Sequence, residues 1–208
     1  MNRRRLLALL GLIPAAATAL PVVQAIGERR RPGRVRPVRG YHAEYFPNVR
    51  LRTHDGERVR LYGDLLQGKT VVVSFLCVTC ADGTCPLVTR NLVRLQQLLG
   101  DRCGRDVFMV SLALAPDRDT PERLRHYREE YNVGPGWTFL TGSARDLELC
   151  RTRFGLADRD PEQDRARARH TGVVLLGNEP HQRWMATPAL TNPEYLLEQI
   201  NRVAGLQA

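Results

Sequence analysis

Three of the five cysteines lie within nine residues, at Cys77, Cys80 and Cys85, and Pro86 follows directly. A thiolate is both the nucleophile of disulfide exchange and a ligand for soft metals, so this cluster can serve either chemistry. Cys77-Val78-Thr79-Cys80 has the two-residue spacing of many redox pairs, and four residues separate Cys80 from Cys85. No second pair with zinc-site spacing accompanies it, so a structural zinc centre is not indicated. Cys103 and Cys150 have no chemically suggestive neighbours and are expected to be buried thiols, with a structural disulfide open to them in an oxidising compartment.

A reactive thiol needs elements that hold it at an edge. Residues 70–76 are a nearly continuous apolar run, the pattern of a strand buried on both faces. Residues 86–99 place Leu87, Leu92, Leu95, Leu98 and Leu99 on a helical face, with Pro86 suited to its first turn. The cysteine loop therefore joins the carboxyl end of a buried strand to a helix start. There the helix dipole and free N–H groups favour a thiolate at Cys85. Cys77 is read as the end of the strand with a packing role, or as an alternative sulfur for a disulfide or a metal.

The remaining elements alternate. Residues 49–53 and 58–62 form a hairpin about Asp55-Gly56. Strands are expected at 106–114, 137–140, 170–176 and 182–186. Helices open at Thr120-Pro121, at Ser143 and at Asn192-Pro193, each with a capping side chain. The expected fold is α/β: a central mixed sheet flanked by helices, with an N-terminal β-hairpin and the ββα ending of a thioredoxin-like fold.

Upstream, Arg3, Arg4 and Arg5 precede an uncharged run over residues 6–25 that ends in Val23-Gln24-Ala25. This is a signal peptide or an N-terminal membrane anchor over residues 1–25; both readings put the rest of the chain on the periplasmic side of the inner membrane. Residues 26–44 are an Arg/Pro-rich linker, and the folded domain is expected over 45–208. Nine Arg and one Glu in residues 1–40 carry +8 of the formal +9, leaving +1 for residues 41–208. A nearly neutral domain argues against a basic groove for nucleic acid.

Several ordered stretches resemble the Sco/SenC group of exported copper-binding, thioredoxin-like proteins. They are Tyr45-Phe46-Pro47-Asn48-Val49, Asp64-Leu65-Leu66-Gln67-Gly68-Lys69, Cys80…Cys85-Pro86-Leu87, Pro116-Asp117-Arg118-Asp119-Thr120-Pro121-Glu122, Trp137-Thr138-Phe139-Leu140-Thr141-Gly142 and His170-Thr171-Gly172. The resemblance implies copper as the bound ion, Cys80, Cys85 and His170 as its ligands, and a respiratory oxidase subunit as its recipient. Two thiolates and an imidazole suit Cu(I) and can hold Cu(II). The chain departs from the family in having Ala81, Asp82, Gly83 and Thr84 between the cysteines where the family has three residues. Gly83 can absorb the extra residue by taking a positive φ.

Taken without the resemblance, His170 is a half-buried strand residue. The redox alternative is a thiol–disulfide oxidoreductase using Cys80 and Cys85, or Cys77 and Cys80, on a thiol-bearing partner. A copper or redox sensor is a third reading. His42, His54, His126 and His181 are expected to be exposed, and Asp82 is read as a solvated turn residue. Asp117 and Asp119 favour the dipole of the helix capped by Thr120, and the resemblance places them in a loop facing the metal. Trp184 is expected to pack. Arg165, Arg167 and Arg169 read as a solvated stretch or a patch for an acidic partner.

Overall fold

The computed structural model describes residues 45–79, 83–157, 160 and 172–206. The leader and linker assigned to residues 1–44, together with Cys80, Asp82, His170 and the Arg165–Arg167–Arg169 run, lie outside the described residues. Among the described residues, no helix is long and apolar enough to cross a membrane.

A hairpin opens the described chain, with β1 (Arg50–Thr53) and β2 (Arg58–Arg60) paired antiparallel. The expected second strand stops short. Leu61–Leu66 instead winds into one wide helical turn, closed by the Gln67 N–H on the Tyr62 carbonyl at 2.8 Å. Burial of Leu61, Tyr62 and Leu66 in that turn explains the change. Next come β3 (Thr70–Leu76), α1 (Thr84–Leu99), β4 (Val107–Ala113), α2 (Pro121–Glu130), β5 (Trp137–Thr141) and α3 (Ala144–Arg153). The described chain ends with β6 (Val173–Asn178), β7 (Arg183–Pro188) and α4 (Pro193–Ala204).

The seven strands form one sheet in the order β2-β1-β5-β4-β3-β6-β7. β3, β4 and β5 run parallel, and the flanking pairs β1/β5, β3/β6 and β6/β7 are antiparallel. The sheet is therefore mixed, with its parallel centre where strands and helices alternate in sequence. Strand alternation sends Val72, Met109, Phe139 and Leu176 to one face, against Leu92 and Leu95 of α1, Leu124 of α2 and Leu196 of α4. Val71, Val73, Phe75, Leu112 and Leu140 face the other layer, against Leu147 and Cys150 of α3 and the Leu61–Leu66 turn. Full burial of one such leucine is worth roughly 2 kcal/mol.

The expected caps are present. Thr120 accepts from the Arg123 N–H, Ser143 from the Asp146 N–H and Asn192 from the Glu194 N–H. Trp184 packs as expected, 4.3 Å from the Phe46 ring and over Gly177, where any Cβ would strike the indole.

His54 corrects an expectation. It is 6% exposed, because the residues after β1 fold back onto β5 and its own N–H bonds the Phe139 carbonyl at 2.9 Å. The Phe139 N–H reaches Nδ1 at 3.3 Å, and an Arg128 guanidinium nitrogen stands 2.8 Å from Nε2. Burial, then the Arg128 charge, lower its pKa, against the opposing pull of Asp55. The neutral ring thus belongs to the folded state, while the unfolded chain takes up a proton near the ordinary value of about 6.5. Folding stability is therefore expected to fall as pH drops below that value. Urea midpoints at pH 7.5 and 5.5 test this: the drop should shrink in His54→Gln, and an equal drop in both proteins would contradict it.

Candidate metal centre

β3 delivers the chain to the cysteine loop at the carboxyl edge of the sheet. Cys77 follows the last strand residue directly and is half-buried, packed beside the α3-side core. This agrees with the packing role read from the sequence. Gly83 precedes α1 with φ +73°, the left-handed conformation expected of the residue that absorbs the longer loop. α1 then begins at Thr84, two residues before the expected Pro86.

Cys85 consequently lies within the first helical turn, 1% exposed. Its Sγ accepts the Cys77 backbone N–H at 3.1 Å. No acidic side chain occupies that first turn, so nothing there opposes the positive end of the helix dipole. A backbone donor and the helix N-terminus both favour negative charge on this sulfur, and its burial opposes it.

The other side of the loop is held by a residue whose part the sequence did not disclose. Asp119 is 0% exposed. One carboxylate oxygen accepts the Val78 N–H at 3.2 Å, and the other accepts the Ala115 N–H at 3.3 Å. Burial pushes its pKa up, and these two N–H groups pull it back. Asp119 therefore ties the cysteine loop to the loop that leaves β4. Leu114 extends the same seam by donating to the Leu76 carbonyl at 2.8 Å. The dipole role expected of Asp119 is replaced by this clamp. Its place just before the Thr120 cap points to the helix; the resemblance set it in a loop facing the metal site, and the clamp holds it against the cysteine loop.

Cys103 and Cys150 take no part in this loop. Cys150 is buried in α3, and burial raises its thiol to about 12. Cys103 is half-buried before β4, its pKa raised first by burial, with Gln96 opposing. Both hold free thiols. Among the described residues, no group of three or more His, Cys, Asp and Glu side chains stands ready for a metal ion. Of the sequence-assigned ligands, Cys85 is the one within the described residues.

The SCO1/SenC family model matches residues 42–205. The chain belongs to the SCO1/SenC family. A SCO1 protein homolog of Bacillus subtilis is 27% identical over 140 residues, spanning 66% of this chain and 69% of that protein. Yeast Sco1, solved with copper bound, superposes with a TM-score of 0.61 at 18% identity, covering 79% of this chain and 95% of that one. BsSco, described as a member of the Sco family of cytochrome c oxidase assembly proteins, gives 0.62 at 22% identity, over 78% and 95%. The likeness to these SCO1/SenC structures establishes the thioredoxin-like fold expected from the sequence.

Proposed function

We propose that this chain is an exported copper metallochaperone, which takes copper as cargo through Cys80, Cys85 and His170 and passes it to a copper site of a respiratory oxidase. Cys85 itself carries the reading. It is a buried sulfur in the first turn of α1, taking a backbone N–H, within a chain of the SCO1/SenC family. The donor chemistry fits the cargo, since two thiolates and one imidazole make a soft, low-coordinate set for Cu(I). Yeast Sco1 is a family member solved with copper, and BsSco is described among oxidase assembly proteins, in keeping with this reading. The charged and apolar pattern of residues 1–25 supports export, with the domain acting on the periplasmic side of the inner membrane, released or anchored.

Loading requires both thiols, because a disulfide removes both thiolates. The reduced full chain should bind one Cu(I) per molecule, and the oxidised chain should bind far less. Equal binding by the two forms would contradict the proposal. Cys77 favours one second reading, since its backbone already touches the Cys85 sulfur and adds a third thiol to the loop. Metal-free turnover of a small disulfide by the reduced chain would move the assignment to a thiol–disulfide oxidoreductase.

A further inference from the structure

A cavity of about 470 Å³ opens at the carboxyl end of β5, on the same sheet edge as the cysteine loop. Arg50, Arg52 and Arg58 line it, with Pro116 and Thr120 ahead of α2 and with Thr141, Ser143 and Asp146. Strand register explains the arginine cluster. Arg50 and Arg52 alternate onto one face of β1, Arg58 is the cross-strand partner of Arg52, and Arg52 in turn pairs with Thr141 of β5. All three arginines are exposed, and none forms a salt bridge among the described residues. α2 and α3 both point their N-terminal ends at this opening.

Thr141 points to a ligand independently. It is 5% exposed, it is in the cavity wall, and its hydroxyl has no hydrogen-bond partner. A buried hydroxyl left unpaired is unfavourable, and a turn of the Thr141 side chain toward the cavity would let a ligand oxygen relieve it. One carboxylate lines the space and a second follows the wall residue Pro121 in the first turn of α2. Asp146 is in the wall; Glu122 is held below the usual range first by its own backbone N–H and then by the Thr120 hydroxyl, with Arg52 contributing less. Asp146 and Glu122 already offset the N-terminal ends of α3 and α2, so the three guanidinium groups carry the positive charge of the site, and their forked donors match the planar or tetrahedral oxygens of an oxyanion.

We infer that this cavity binds a single oxyanion, held by Arg50, Arg52 and Arg58 and by the Thr141 hydroxyl. The group can come from a free ion or from an Asp or Glu side chain of a protein docked at the sheet edge. Copper takes no part in this binding. Pro116 and Thr120 belong to the loop that carries Asp119, so an occupant would lie beside the segment clamped to the cysteine loop.

The test is a nuclear magnetic resonance titration of the metal-free full chain with sodium sulfate, at ionic strength matched with sodium chloride. A parallel titration uses a terminally blocked peptide of glutamates. Saturable shifts are expected at Thr141, Gly142 and Ser143 with sulfate, with the peptide, or with both. Tighter binding of the peptide identifies a protein side chain as the source, and tighter sulfate binding a free ion. Arg52→Gln should weaken binding about tenfold, as loss of a charge-assisted hydrogen bond does. Thr141→Val should weaken it as well, and should leave Cu(I) binding unchanged. Arg52 is exposed, so its variant keeps the test valid should Thr141→Val fail to fold. Shifts that do not saturate, that chloride reproduces, or that persist unchanged in Arg52→Gln would overturn the inference.

Discussion

Cys85→Ser in the reduced full chain is expected to abolish stoichiometric Cu(I) binding. Oxygen is a hard donor and a poor ligand for Cu(I), so the soft set loses a member it cannot replace. A loss of at least about a hundredfold in affinity, near 2.7 kcal/mol, is the expected scale. A serine oxygen can still accept the Cys77 N–H that now meets the sulfur at 3.1 Å. His170→Ala should weaken binding less, since the two thiolates remain. Competition against a chromophoric Cu(I) chelator reads both effects. If a variant lacking both Cys80 and Cys85 sulfurs binds as tightly as the parent chain, the ligand assignment is wrong.

Asp119→Ala should cost about 3 kcal/mol of folding stability, because it orphans two backbone donors at once. The Val78 and Ala115 N–H groups both end on this fully buried carboxylate, and no side-chain oxygen remains to replace it. Asp119→Asn keeps one acceptor oxygen but turns an amide toward the other N–H, so an intermediate loss is expected. Urea unfolding at constant slope measures both. The alanine variant should also weaken Cu(I) binding, since the segment after β3 loses its tie to the loop after β4. A stability change below about 0.5 kcal/mol, the level of an ordinary surface substitution, would show that the clamp carries no weight.

These two residues also mark how far the sequence can be read. Cys85 was legible because an apolar strand, a cysteine loop and Pro86 follow one another directly, and local order alone fixes that arrangement. The helix starts two residues earlier than Pro86 suggests, since Gly83 in its left-handed conformation frees Thr84 and Cys85 to take helical angles. Thr120, Ser143 and Asn192 were legible for the same reason, as a cap acts within its own turn. The clamp made by Asp119 and the burial of His54 were not legible in the local sequence. Each residue looks like an ordinary polar one beside a turn, and each is buried by a segment distant in sequence, Val78 for one and Phe139 for the other. The hairpin was readable from Asp55-Gly56, but nothing local says that β1 pairs with β5. That pairing also brings Arg52 beside Thr141 and creates the arginine-lined cavity.

Sulfur ligation of copper by the loop after β3 is tested most directly by the absorption spectrum of the chain loaded with Cu(II). Starting from the reduced full chain, one equivalent of Cu(II) should produce an intense sulfur-to-copper charge-transfer band, and that band should vanish in Cys85→Ser. Weak ligand-field bands alone, identical in the parent chain and the variant, would contradict it.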